Sequence, residues 1–182
     1  MMEGRRHCGF FRRFARDRRG MSAVEFALLL PVMTGMYFGA VELSNSLIVD
    51  RKATGVAATA ADLAAQAMAL SDQDIADIFG ASTAILAPFN AIGVEIVLTS
   101  ASDQGGGSIR VDWSDGHNAT PRAEGSTIEV PDNLVPAGGS VIIAEVRYTY
   151  ESALGQYLTG GIELNDTFYA RPRRTLVVGR LD

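Results

Sequence analysis

The chain has 182 residues, the size of one ordinary domain or of a membrane anchor with one small domain, which excludes a large multidomain enzyme. With 47% hydrophobic and 20% charged residues it can bury a core, and its single cysteine, Cys8, excludes an intramolecular disulfide. The net charge of −5 is uneven: seven arginines against two acids give residues 1–20 a charge of +5, so the rest carries −10.

The first predicted element is a membrane-spanning helix. No charged residue occurs from Phe26 to Val41, and from Met21 onward Glu25 is the one interruption. Such a run spans roughly 30 Å as a helix, the thickness of a bilayer core. Pro31 and Gly35 fall inside it, and a membrane helix tolerates both as a kink. Since basic flanks stay in the cytoplasm, we expect a cytoplasmic N-terminus and a translocated acidic remainder.

Three other interpretations of the N-terminus stay open. A basic arm can bind nucleic acid, although the apolar run is a poor neighbour for such a module. A cleaved secretory signal peptide has the same order of basic and apolar segments, but this run is long and Ser44-Asn45-Ser46 is a poor cleavage site. Arg12-Arg13 resembles part of a twin-arginine export motif, which its neighbours do not complete.

Beyond Glu42 the helical pattern continues. Alternating spacings of four and three place seven apolar residues on one stripe of a helix, predicting one helix of about 50 residues from Met21 to near Leu70. The stripe consists of Val49, Ala53, Val56, Ala60, Leu63, Ala67 and Leu70. Because it is rich in alanine, its partner comes close, and that partner is either the chain's own sheet or another subunit.

A second helix and several strands follow. Ser71 is predicted to be the N-cap of this second helix. The helix is expected to bury Ile75, Ile78 and Phe79 and to end before Pro88. Period-two alternation then predicts strands. They lie at Ile92–Leu98, Ile109–Trp113, Ile128–Val130, Ile142–Tyr150, Phe168–Ala170 and Leu176–Val178, with a loop at 102–107 closing the first hairpin. The fold class is α+β: a long N-terminal helix, continuing as a stalk, packed on a small, mostly antiparallel sheet.

The stretch Gly20-Met21-Ser22-Ala23-Val24-Glu25-Phe26, followed by Ala27-Leu28-Leu29-Leu30-Pro31, resembles the N-terminus of TadE-like pseudopilins of tight-adherence (Flp) pilus systems. The similarity continues through Gly39-Ala40-Val41-Glu42-Leu43 and Ala61-Asp62-Leu63-Ala64, and more loosely through Val111–Ser114, Ala144–Tyr148 and Phe168–Arg173. It divides the chain into a basic leader at 1–20, a transmembrane and stalk helix at 21–70, and a periplasmic head at 71–182.

The resemblance implies that a prepilin peptidase of the bacterial inner membrane cuts between Gly20 and Met21, discarding Cys8. It implies that Glu25 pairs with the free α-amino group of a neighbouring subunit, whereas the alternative is a carboxylate that reaches the headgroups. Phe26 and Pro31 join the apolar stripe as helix-interface residues. The implied partners are the membrane, other pilins and pseudopilins and the pilus assembly platform. The implied role is that of a minor, non-enzymatic subunit that either enters the pilus or stays at its base.

Other functions compete with this one. An uncleaved single-pass anchor with a periplasmic adaptor head differs in whether Gly20–Met21 is cut. A membrane-tethered enzyme would rely on Ser114-Asp115-Gly116-His117, a cluster typical of a loop beside a strand. Asp112 and Ser114 partly match a metal-ion adhesion motif, but Gly116 stands where it needs a second serine. We therefore predict no catalytic residue, metal, cofactor or nucleic acid.

Overall fold

The computed structural model describes residues 20–105, 108–131, 133–151 and 161–181. Residues 1–19 of the predicted leader, which include Cys8, lie outside the described residues, as does the tip of the predicted 102–107 loop. The chain divides into two compact units, one ending at Ser44 and one beginning at Asn45. Each unit is described by itself below.

The first unit consists of the N-terminal part of helix α1, which covers Met21–Gln66. Every residue from Met21 to Val41 is exposed. Pro31 lies inside the helix, as predicted, and the helix continues past it. This stretch is long and apolar enough to cross a membrane by length and composition, a test that signal sequences also pass.

The second unit contains the rest of α1 and the head. The elements after α1 are β1 (Ala69–Leu70), α2 (Asp72–Thr83), a short 3-10 helix (Ala84–Leu86), β2 (Glu95–Asp103), β3 (Ile109–His117), β4 (Ser140–Tyr150), β5 (Ile162–Ala170) and β6 (Gly179–Arg180). The four long strands form an antiparallel sheet in the order β3-β2-β4-β5, while β1 and β6 pair in parallel. The predicted α+β class is confirmed.

The main core lies between one face of the sheet and the helices. Ala53 of α1 is almost fully buried. Val49, Val56 and Ala60 of the same helix are fully buried in this core, and Leu63 is partly buried. Sheet residues such as Ile96, Leu98, Ile142, Ala144 and Val146 meet them in one apolar cluster. Alanines on the helix let its backbone approach the sheet closely, so the stripe from Val49 to Leu63 packs on the chain's own head, whereas Ala67 and Leu70 lie beyond the end of the helix.

The start of α2 follows the sequence closely. The Ser71 side chain accepts a hydrogen bond from the Asp74 backbone N–H, and the Asp74 carboxylate accepts one from the Ser71 N–H. This reciprocal pair satisfies two backbone groups that a helix start leaves free. On the opposite flank, Ile75, Ile78 and Phe79 are buried, as predicted.

Several element boundaries differ from the predictions. β2 and β3 run on to Asp103 and His117, and β5 begins at Ile162 instead of Phe168. Helix α1 ends at Gln66, and Leu70 is buried in β1 because the chain there pairs with the C-terminal β6. β2 begins at Glu95, which leaves Ile92 outside it. Residues 128–130 do not form a strand, and the preceding residue, Thr127, forms an isolated bridge with Arg110. Residues 176–178 precede β6 instead of forming a strand.

Candidate functional site

The first candidate site is the start of α1. Gly20 is exposed and lies directly before the helix, and Met21 is the first helical residue. A Cβ added at Gly20 meets no atom within 4 Å. Within the described chain, the fold therefore gives no steric reason for glycine at this position, and a larger residue would fit.

Glu25 lies one turn into the same helix and is exposed, with exposed apolar neighbours on all sides. Phe26 is 61% exposed. Among the described residues, no ion pair or hydrogen bond involves Glu25. A carboxylate in an apolar setting is costly unless it has a partner, so any partner of Glu25 has to come from a lipid headgroup, the segment before residue 20 or another molecule.

The glycines of the helix add a feature that the sequence analysis did not use. Gly35 and Gly39 are four residues apart, and a Cβ at either position meets nothing within 4 Å. Gly-x-x-x-Gly in an apolar run is typical of close helix–helix contact in a membrane, because the backbones approach where no side chain intervenes. The four-residue spacing of Gly35 and Gly39 in the sequence is the signal that could have identified this helix face.

A second candidate site is an open groove of about 650 Å³ on the sheet face away from α1. Arg122 forms a bidentate ion pair with Glu145, with N–O distances of 2.7 and 2.9 Å. This hydrogen-bonded carboxylate raises the pKa of Arg122. Arg147 lies 3.4 Å from both Glu95 and Glu163. Because both arginines already face carboxylates, the groove offers solvated ion pairs and no activated group.

The Ser114–His117 cluster does not converge on a catalytic arrangement. Successive strand residues point to opposite sheet faces. Ser114 Oγ lies 3.0 Å from Thr99 Oγ1 on the groove side, while Asp115 pairs with Arg180 at 3.0 Å. The His117 ring packs against Phe79 of α2. Each side chain thus has a structural contact.

The residues of the partial metal-ion adhesion motif, Asp112, Ser114 and Gly116, also have structural roles. Asp112 accepts hydrogen bonds from Ser100 at 3.2 Å and Ser102 at 2.5 Å, and it is the extra residue of a bulge in β3. At Gly116, a Cβ would lie 2.1 Å from the Ala119 carbonyl oxygen, so a serine would not fit there without a shift of the backbone. In the described part of the chain, no group of three or more His, Cys, Asp or Glu could hold a metal ion.

Comparison with known families bears on the first candidate site. Residues 20–62 match the family model TadE, described as TadE-like protein. This segment is TadE-like. The recognition made from the sequence is confirmed, and the TadE-like segment contains Gly20, Glu25, Gly35 and Gly39 and the first part of the buried stripe. No curated protein and no solved structure matches the chain.

The TadE-like segment indicates a broad function. The family suggests involvement in tight-adherence pilus assembly, and the one long apolar helix found among the described residues suggests a single-pass membrane protein of that system. The match covers less than half of the chain and leaves the head outside it. The fold of the head therefore rests on the structure alone.

Proposed function

We propose that this chain is a minor pseudopilin, a membrane-embedded subunit that starts or supports assembly of a tight-adherence pilus. The observation that carries the proposal is the coincidence of two features over the same residues. The TadE-like match begins at Gly20, and the helix that follows exposes an apolar surface without interruption from Met21 to Val41, apart from Glu25.

The proposal assigns each part of the chain a place. The N-terminus lies in the cytoplasm, the helix crosses the inner membrane once, and the head is periplasmic, because a basic arm precedes the span and acidic sequence follows it. The prepilin peptidase removes residues 1–20. Glu25 then meets the new α-amino group of a neighbouring pilin, and the assembly platform and other pilins contact the exposed helix.

Gly20 fits this role for a physical reason. Since the described fold leaves room for a side chain there, the glycine is explained by an enzyme that needs an extended chain deep in its cleft. Met21–Ser44 contributes no residue to the buried core, so a partner can use its whole surface. The head keeps its own core through Val49 and the residues after it.

The deciding experiment is N-terminal sequencing of the membrane-extracted protein, in parallel with a Gly20→Leu variant. We expect the native protein to begin Met-Ser-Ala-Val-Glu and the variant to remain full length. Gly93→Leu in the head is the control, because that position is also sterically open and should not affect processing. Normal processing of Gly20→Leu would rule out peptidase recognition.

An uncleaved anchor that presents a periplasmic adaptor or binding head is the alternative. The open groove lined by Arg122 and Arg147 favours it, because a head with such a surface could bind a partner without entering a fibre. A native protein that retains residues 1–20 in the membrane, with a periplasmic C-terminus, would support this alternative over the pseudopilin.

A further inference from the structure

The two edges of the main sheet differ in how they are covered. Along β3, the segment 125–128 makes three backbone hydrogen bonds with Ile109 and Val111, at 2.8–3.0 Å. β5 forms the other edge and pairs with β4 on its inner side. From the described part of the chain, no backbone hydrogen bond reaches its outer side. β5 is therefore the open edge of the sheet.

The strand register shows which backbone groups of β5 face outward. The Asp103 N–H donates to the Gly139 carbonyl at 3.1 Å in the register of β2 with β4, so odd-numbered residues of β4 bond to β2 and even-numbered ones bond to β5. The even-numbered residues of β5 pair with these, so the N–H and C=O groups of its odd-numbered residues point away from the sheet. The outward residues are Glu163, Asn165, Thr167 and Tyr169. Their backbone groups form a template for one more strand.

β5 has one of the features that usually protect an edge strand, an inward-facing charge. It contains no proline or lysine, and its pairing with β4 runs without a bulge. The charge is Asp166, which lies on the α1 side of the sheet and accepts a hydrogen bond from Thr54 Oγ1 at 2.9 Å. Among the described residues, no cation forms an ion pair with this carboxylate.

The charge of Asp166 decides which strand fits this edge. The residues of β5 on the α1 side are Ile162, Leu164, Asp166, Phe168 and Ala170. In an antiparallel pair outward residues meet outward residues, so a second copy of β5 would set either an apolar side chain or another Asp166 against Asp166. Both are unfavourable, whereas a lysine or arginine at that place forms a cross-strand pair of opposite charges. Charge complementarity therefore favours a basic strand from a different protein over a second copy.

An open recess beside Phe168 can hold an apolar side chain of the added strand. The recess has a volume of about 330 Å³ and is lined by Ala58, Thr59, Asp62, Leu63 and Phe168. Phe168 is 39% exposed, whereas Ala144, its partner on β4, is fully buried. A residue two positions from the basic residue of the added strand would lie opposite Phe168 and cover its ring.

We propose that β5 binds an extended segment of another protein by strand addition, and that this segment carries a lysine or arginine with an apolar residue two positions away on each side. The basic residue pairs with Asp166, and the apolar residues pack on Leu164 and Phe168. The backbone of the segment bonds to the outward groups of β5. Every residue of this site belongs to the second unit, so the inference does not depend on the membrane crossing in the proposed function.

The test uses the full chain in detergent and a dye-labelled nonapeptide with a central lysine, valine at the other odd positions and threonine at the even positions. A matched peptide has glutamate in place of the lysine. Fluorescence anisotropy measures the affinity of both peptides for the native protein and for Asp166→Asn, which removes the charge but keeps an oxygen that can accept the Thr54 hydrogen bond. Thermal unfolding verifies that the variant is folded, and hydrogen exchange with and without peptide locates the bound strand.

We expect the native protein to bind the lysine peptide about five- to thirtyfold more tightly than the glutamate peptide, and Asp166→Asn to reduce this ratio to about twofold or less. New protection from exchange should appear in residues 162–170 and not in residues 109–117. The inference is wrong if neither peptide binds, if both bind equally, or if the protection lies elsewhere. Protection of residues 162–170 that rises with protein concentration in the absence of peptide would assign the edge to a second copy and would also overturn it.

Discussion

The indole nitrogen of Trp113 donates a hydrogen bond to the carbonyl oxygen of Val178 at 2.8 Å, across 65 residues of sequence. Both residues are almost completely buried. The bond joins the edge strand β3 to the segment that leads into β6. Beside it, Arg180 pairs with Asp115 and Asp72 and donates to the Leu70 carbonyl. The C-terminus is therefore part of the head's structure.

Replacing Trp113 with phenylalanine should destabilise the head by about 1–3 kcal/mol, because a buried carbonyl loses its donor. Far-UV circular dichroism of the detergent-solubilised protein during denaturant unfolding measures the change, because this signal does not depend on the chain's one tryptophan. Leu176→Ala, an exposed change in the same C-terminal segment, should stay within about 0.5 kcal/mol. If Trp113→Phe and the native protein have the same free energy of unfolding, this hydrogen bond makes no net contribution to stability.

Gly116→Ala should also destabilise the head, by about 1–3 kcal/mol, because its Cβ would overlap the Ala119 carbonyl oxygen and force the backbone to shift. Gly93→Ala is the matched control, since it adds the same methyl group in open space. The same unfolding measurement compares the two variants. A Gly116→Ala protein no less stable than Gly93→Ala would mean that the Ala119 turn moves freely.

The N-terminus of α2 should make stability depend on pH in acid. Hydrogen bonds from the Ser71 side chain, and then from its backbone, lower the pKa of Asp74 below its ordinary value. A carboxyl group with a lowered folded-state pKa stabilises the fold above the unfolded pKa, near 4, and loses that contribution as pH falls through the folded pKa.

Asp74→Asn should therefore flatten the decline in thermal stability below about pH 4, compared with the native protein. Asp77→Asn is the control, because Asp77 is on the same helix outside the capping pair. Identical acid profiles for the native protein and Asp74→Asn would contradict the role given to this carboxylate.

Glu25→Ala should leave membrane insertion intact, because the change makes the segment more apolar, and should leave processing largely unchanged. Crosslinking to partner pilins and surface piliation should fall. A polar contact between membrane helices worth about 1–2 kcal/mol corresponds to a loss of about five- to thirtyfold in association. A Glu25→Asp variant should recover part of it. Full piliation and normal crosslinking by the alanine variant would make Glu25 an interfacial charge only.

Gly39→Leu should weaken association of the chain with another membrane helix, because a side chain there holds the two backbones apart. Ala40→Leu adds similar bulk on a different side of the helix, about 100° away, and should have a smaller effect. Crosslinking in the membrane compares the two variants at equal expression. A larger loss for Ala40→Leu would place the contact on another face.

The sequence by itself determined the features that depend on local order along the chain. Four such features appear in the structure: the apolar run, the period of the alanine-rich stripe, the Ser71 cap and the alternation in Ile142–Tyr150. Each of them predicts a helix or strand from residues that are close together in the sequence. The TadE-like resemblance was equally readable, because its residues lie close together in sequence.

Only the tertiary structure decided what depends on distant residues. Helix α1 ends at Gln66 since Ala69 and Leu70 pair with β6, which lies about 110 positions later in the chain. Ile92 shares the alternation of a buried strand, yet its turn is held outside by hydrogen bonds from Asn118 and Tyr148. Alternation indicates which face of a strand a residue would occupy. The residue at which strand pairing starts is set by the partner strand, and a partner far away in sequence leaves no local signal.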